Sequence, residues 1–150
     1  MKTSPHAAIA DPLLETLAEF RYELRRFLHF SEAAAREAGL EPQQHQLLLQ
    51  LAGTSAKTAS TIAYAAERLG LKHNSAVELV DRCEREGLLN RTVDAADKRR
   101  AILCITRKGY RVLADLTREH ARELNERAPL LVRTLKRVQA HSSVTGGSRA

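Results

Sequence analysis

A short alternating run, Ala101-Ile-Leu-Cys-Ile105, stands in a chain whose other periodic segments read as helices. An isolated strand leaves its backbone N–H and C=O groups without partners, so it requires a neighbour. The adjacent apolar stretch, Leu88 to Val93, supplies one, and predicts an antiparallel pair of Leu88–Val93 with Arg100–Thr106. Alternation puts Ala101, Leu103 and Ile105 on one face and Ile102 and Cys104 on the other. The connecting loop, "DAADKR", is longer than a tight turn and carries Lys98 and Arg99, with Arg100 directly after it. The chain must therefore accommodate one small, basic-tipped hairpin among helices, which makes the expected fold class mainly α with a small antiparallel β-hairpin.

The helices are legible from spacing. Asp11-Pro12 is a helix start, a capping acid followed by proline at the first helical position. Leu13, Leu17, Phe20, Leu24 and Phe27 then recur in steps of four and three, a heptad-like stripe with Ser31 next, and no break comes before Gly39. A helix over 12–38 spans about 40 Å at 1.5 Å per residue, long for a small domain, and suggests a dimer arm. Pro42 opens a second helix that Gly53 closes. A third runs from Ser60 or Thr61 to Leu69, with small Ala65 and Ala66 allowing close approach. Gly70 is the expected left-handed residue before a fourth helix, His73 to Glu86, with Ala76, Leu79, Val80 and Cys83 inward. After the hairpin a helix resumes through Val112, Leu113, Leu116 and Leu124, and Pro129 is expected to start a separate, short last helix with Leu130, Leu131, Leu135 and Val138.

Charge narrows the class of partner. The chain has 24 Lys and Arg against 18 Asp and Glu, a formal charge of +6. Between Arg85 and Arg111 the imbalance sharpens to eight basic against three acidic residues, which suggests a polyanion. The two cysteines, Cys83 and Cys104, form no C-x-x-C, and the first residues have no apolar core of a signal peptide. The expected location is cytoplasmic. No apolar run approaches a membrane span. Paired carboxylates, a nucleophile beside a base, a Gly-rich phosphate loop and metal-ligand spacing are all absent, so the chain does not read as an enzyme, and no cofactor is expected.

Helix, helix, tight glycine turn, helix and basic-tipped hairpin is the order of a winged helix-turn-helix. The segment Thr61 to Gly109 resembles the MarR family of bacterial transcriptional regulators. The resemblance rests on Ala65-Ala66, Leu69-Gly70, Glu84 with Gly87-Leu88, Arg91, Asp97-Lys98-Arg99 and Ile105-Thr106-x-x-Gly109, in that order. It implies a single domain over 11–140. A winged lobe at about 42–106 is joined to dimerisation helices at about 12–38 and 107–140, with flexible tails at 1–10 and 141–150. It also implies an obligate homodimer on a palindromic operator, with recognition helices about 34 Å apart. Leu13, Leu17, Phe20, Leu24, Leu116, Leu131 and Leu135 are the expected dimer contacts. Family members often bind small aromatic acids between the dimer helices and the lobe, so an aromatic ligand is a possible partner; Phe20, Arg21, Phe27, His29, Phe30 and His45 fall in the regions that would line its cleft. Three departures stand out: Ala65 in place of a leucine, Lys72 where a capping serine is common, and a short last helix.

Roles follow from position. Lys72, His73, Asn74, Ser75 and Glu78, near the start of the fourth helix, are expected in the major groove, where Asn pairs with adenine and Glu accepts from cytosine. Asn74 and Ser75 serve equally well as helix caps. Arg82 is expected on the same outer stripe, and Glu78 either reads a base or orients an arginine such as Arg82. Arg99 is the candidate for the minor groove, with Asp97 as its orienter, while Lys98 and Arg100 meet phosphates. Ser60 and Thr61 reach backbone phosphates or simply cap the third helix. Arg91 either braces the wing or touches DNA.

The function these features imply is a DNA-binding transcriptional regulator, a homodimeric repressor released by a small molecule. Two other readings compete: a winged-helix protein-interaction module without DNA binding, and a redox- or metal-responsive regulator using Cys104, or His45 and His120 with Glu119.

Overall fold

The computed structural model describes residues 11–145. The elements among them are α1 (Pro12–Glu37), α2 (Pro42–Ala52), α3 (Ile62–Leu69), α4 (His73–Arg85), β1 (Leu89–Val93), β2 (Ala101–Ile105) and α5 (Arg107–Thr145). The chain forms two compact units. One is Ser31–Glu119; the other joins the described residues up to Phe30 with those from His120 onward. The winged lobe lies within the first.

Local chemistry sets each boundary in the lobe. Pro42 occupies the first turn of α2, and the Gln44 side chain accepts the Glu41 amide at 2.9 Å, the reciprocal arm of a capping box. Thr61 caps α3 by accepting the Tyr64 amide at 3.1 Å. Gly70 ends α3 at φ +63°, a left-handed conformation that costs an L side chain about 1 kcal/mol or more. That reversal lets the Leu71 amide return to the Ala66 carbonyl at 2.9 Å and starts α4 after a turn of three residues. Lys72 stands at the N-cap of α4 with no side-chain cap bond. The weaker cap implied by the missing serine is therefore present, and Asn74 does not replace it.

The lobe's core is mainly apolar, with Gln44 and His45 of α2 buried within it. Leu47, Leu48, Leu79, Val80, Cys83, Leu88 and Leu89 are fully buried, and Ala65 is buried where the family resemblance had a larger leucine. At about 25 cal/mol per Å² of apolar surface removed from water, such side chains each contribute roughly 1.5–3 kcal/mol. The hairpin pairs Leu89 with Ile105, Arg91 with Leu103 and Val93 with Ala101. Leu103 faces the core and Cys104 faces out, as the alternation requires. The Leu103 amide also donates to the Ser60 carbonyl at 2.7 Å, which fastens the wing to the residues before α3.

The Ile105-Thr106-x-x-Gly109 motif closes the lobe. The Thr106 hydroxyl donates to the Gly87 carbonyl at 2.6 Å and accepts the Gly109 amide at 3.1 Å. Any Cβ at Gly109 would lie 2.2 Å from the Leu88 carbonyl oxygen, so only glycine lets α5 start this close to the turn after α4.

The second unit departs from the expected pattern. Its buried α1 positions include polar Thr16 and Glu23, while Leu17 is 42% exposed and Leu14 and Leu28 more so. Glu23 is 4% exposed and pairs with Arg127 of α5 at 2.7 Å; Arg127 also pairs with Glu123. Burial opposes the charge on Arg127, but the hydrogen bonds it donates to Glu123 and Glu23 outweigh it and raise the guanidinium's pKa. His120 packs edge-on against Phe27 and Phe30, with ring centroids 5.9 and 5.4 Å away.

Three expectations are corrected here. Pro129 does not begin a short helix; it lies inside the 39-residue α5. Its exposed ring removes one helical hydrogen bond. Arg127, paired with Glu23 of α1, lies just before that gap, and buried Thr134 follows it. Leu116 is 1% exposed, so the chain itself covers it and it is not offered to a partner. Residues 141–145, expected to be a flexible tail, continue α5; residues 1–10 and 146–150 lie outside the described residues.

Candidate nucleic-acid interface

The apolar stripe of α4, Ala76, Leu79, Val80 and Cys83, is buried in the lobe. The opposite side is left to solvent: Lys72, His73, Asn74, Ser75 and Glu78 are all exposed. Helical spacing and a core on one side are enough to produce this, since one stripe cannot be inward without the other being outward. The first turn of α4 also presents backbone amides that the Lys72 side chain does not cap, a natural seat for an anion.

The wing supplies the second half of the site. Between β1 and β2 the loop is closed by an ion pair from Arg100 to Asp94. Asp94 also accepts the Ala96 amide at 2.9 Å, and that bond, with Arg100, holds its carboxyl below the usual carboxylate range. At the tip, Asp97 grips Arg99 in a fork: Nε to one carboxylate oxygen at 3.1 Å, Nη2 to the other at 3.3 Å, with the Arg99 amide on the first at 3.0 Å. The Asp97 carboxyl is lowered chiefly by that side-chain bond. Even so, the Arg99 side chain is 91% exposed. A guanidinium that is aimed and still almost wholly in water is arranged to meet something outside the chain. Lys98 beside it is exposed as well.

These parts converge. Thr61, Ile62 and Ala63 at the start of α3, His73 of α4, and Arg99, Arg100 and Ala101 of the wing line one concavity of about 410 Å³. The structure thus brings Thr61, His73, Arg99 and Arg100 together. Ser60 stands beside them, its carbonyl engaged by β2. Arg82 is placed differently from the expectation: its guanidinium is 3.4 Å from Glu41, at the N-cap of α2, and does not pair with Glu78.

Two features escaped the sequence reading or were left open by it. Arg91 is a brace: Nη1 donates to Glu84 at 2.8 Å, the backbone amide donates to Glu84 at 3.3 Å, and Nη2 donates to Asp81. The spacing Glu84, Gly87-Leu88, Arg91 was visible in the motif, but only the fold shows that it closes on itself. Asp94 was unmarked because a loop acid carries no positional signal. The cysteines separate cleanly. Burial, then the nearby Glu86, pushes the Cys83 thiol up to about 12, so it is inert as a nucleophile; Cys104 is exposed, 3.7 Å from the Thr92 hydroxyl. Among the described residues no group of three or more His, Cys, Asp or Glu is placed to hold a metal ion, and no helix is long and apolar enough to cross a membrane.

Residues 38–100, the heart of this interface, match the sequence model of the MarR family. Over that winged lobe the chain is similar to the MarR family. Solved structures agree on the fold. The MarR-like chain resembles a variant of S. aureus MepR bound to an oligodeoxyribonucleotide, with 21% identity over 85% of this chain and 91% of that one, at a TM-score of 0.60. It resembles CouR from Rhodococcus jostii RHA1 bound to p-coumaroyl-CoA, with 19% identity over 83% and 87%, at 0.63. It also resembles AbsC, a MarR family transcriptional regulator from Streptomyces coelicolor, with 17% identity over 90% and 97%, at 0.66. No curated protein matches the sequence.

Proposed function

We propose that this chain is a sequence-specific DNA-binding transcriptional regulator of the MarR type: a cytoplasmic homodimer that represses from a palindromic operator and is released by a small molecule, an aromatic acid being the favoured class. The observation that carries the reading is Arg99, held in a fork by Asp97 yet 91% exposed, beside the exposed first turn of α4. In this reading α4 enters the major groove with Lys72, His73, Asn74, Ser75 and Glu78, and Arg99 enters the narrow minor groove, where negative potential is concentrated. Lys98, Arg100, Ser60 and Thr61 meet phosphates. Arg82, engaged by Glu41, contributes charge at a distance. The homodimer is supported by exposed Leu14, Leu17, Leu28, Val132 and Leu135, apolar side chains that a second copy would cover, with Leu13, Phe20, Leu24 and Leu131 half-buried beside them. The DNA partner is supported by the oligonucleotide in the MepR structure, and a releasing ligand by the p-coumaroyl-CoA in the CouR structure.

The test is a duplex selected by the chain from a random library, followed by fluorescence anisotropy across salt concentrations and sedimentation of the free chain. The expected result is a dimer whose affinity falls steeply with salt as counterions are released. Arg99→Ala should weaken binding by about tenfold, the scale of one lost base contact. A monomer that selects no duplex, or an Arg99→Ala chain that binds like the unaltered one, would overturn the reading.

A further inference from the structure

We infer that Arg91 is the positioning residue that locks the wing to α4, so that Arg99 and the first turn of α4 meet a duplex as one rigid body. The inference rests on the DNA-binding reading above and adds to it how the two halves of the interface are kept in register.

The geometry is a three-point clamp between two elements. Arg91 belongs to β1, and both its acceptors, Asp81 and Glu84, lie on α4 one turn apart. Its guanidinium reaches Glu84 at 2.8 Å and Asp81 with its other terminal nitrogen, while its amide reaches Glu84 at 3.3 Å. One hydrogen bond would leave the strand free to pivot on the helix. Three bonds from one residue to two carboxylates fix both the spacing and the twist, and a planar guanidinium enforces this where an ammonium does not.

The clamp is the first of three links that run outward to the tip. Arg91 ties α4 to β1; Asp94 and Arg100 tie the two ends of the wing loop; Asp97 holds Arg99. Each link acts on backbone that the next one continues. The side chains of Arg91, Asp81 and Glu84 keep 29%, 46% and 36% of their exposure, so solvent screens the clamp and its worth to stability is small. Its value is positional.

The test uses the full chain, the selected duplex and a scrambled duplex of equal length and composition. Arg91→Ala should bind the selected duplex about tenfold more weakly and the scrambled one less than about twofold more weakly, since only register-dependent contacts are lost. In that background Arg99→Ala should cost less than about twofold instead of tenfold, because an unplaced tip has little left to lose. Arg91→Lys keeps the charge without the fork, and should behave like the alanine variant. Asp81→Asn with Glu84→Gln opens the clamp from the helix side and should lower discrimination between the two duplexes by the same factor; it decides the matter if Arg91→Ala does not fold. Equal losses on both duplexes, an undiminished Arg99→Ala effect, or wild-type discrimination by the folded double variant would overturn the inference while leaving the DNA-binding reading intact. A wild-type chain that selects no duplex would overturn both.

Discussion

The two compact units solve the problem of burying a helix in opposite ways. In the winged lobe the inward stripes are mostly apolar, with Gln44 and His45 of α2 the buried polar members, and the ion pairs of Arg91, Arg99 and Arg100 lie on its rim. In the other unit a charge is buried: Glu23, paired with Arg127, is nearly sealed from solvent, while Leu14, Leu17, Leu28, Val132 and Leu135 stand exposed. A desolvated ion pair contributes little net stability and much geometric selectivity, whereas apolar packing does the reverse. The lobe therefore reads as a closed core that needs nothing more. The second unit fixes which register its two helices adopt and leaves its apolar sides for the second copy proposed above.

The contrast is most exposed to attack at Gly109→Ala, whose methyl meets the Leu88 carbonyl at 2.2 Å. It should destabilise the lobe by about 3 kcal/mol in urea unfolding, an overpacking cost with no room to relax. A silent Gly109→Ala would mean that the lobe is looser than its apolar core suggests. Next in size is Glu23→Ala, which leaves Glu123 as the partner of Arg127 and should cost about 2 kcal/mol on the same measurement, the worth of one lost charged hydrogen bond. Replacing both Glu23 and Arg127 by leucine should cost much less than the single change. Hydrogen exchange should place the loss in the residues from 120 onward and spare α2 to α4; a uniform loss would erase the distinction.

The smallest effect sharpens the rim against the core. Asp94 and Asp97 have folded-state pKa values below the ordinary carboxylate value, so the folded wing favours their charged forms. The stability they lend is complete above an ordinary carboxylate pKa of about 4 and is lost as pH falls through the lower folded values. Limited proteolysis should cut the 94–100 loop faster in that acid window, while the core keeps its helical circular dichroism. Proteolysis that stays constant down to the pH of global unfolding would show that these pairs do not order the loop.

Much of this architecture is legible in the residues, and the exceptions share a cause. Periodicity and capping rules locate α2, α3 and α4 within a residue or two, because Pro42, Thr61, Gly70 and Gly87 act through their own backbones. The hairpin follows from alternation over Ala101–Ile105. What failed is what depends on a distant side chain. Pro129 ends a helix by local rules, yet α5 runs through it, with Arg127 held by Glu23 of α1 just before. The α1 stripe looked apolar, yet buried Glu23 meets a residue 104 positions away. Arg82 was one of two things Glu78 could engage, but Glu41 from another element holds it. At the interface Arg99 and Asp97 were readable because they are two positions apart; the three-point hold of Arg91 was not, because its angles exist only after the strand lies on the helix.

The division between the two thiols has a practical side. Cys83 is sealed in the lobe with its thiol pushed up to about 12, and Cys104, the other of the two cysteines, is exposed on the outer face of β2. A maleimide fluorophore added to the unaltered chain will therefore attach at one place, on the wing. No engineered attachment point is needed to watch that finger in real time as nucleic acid is titrated in.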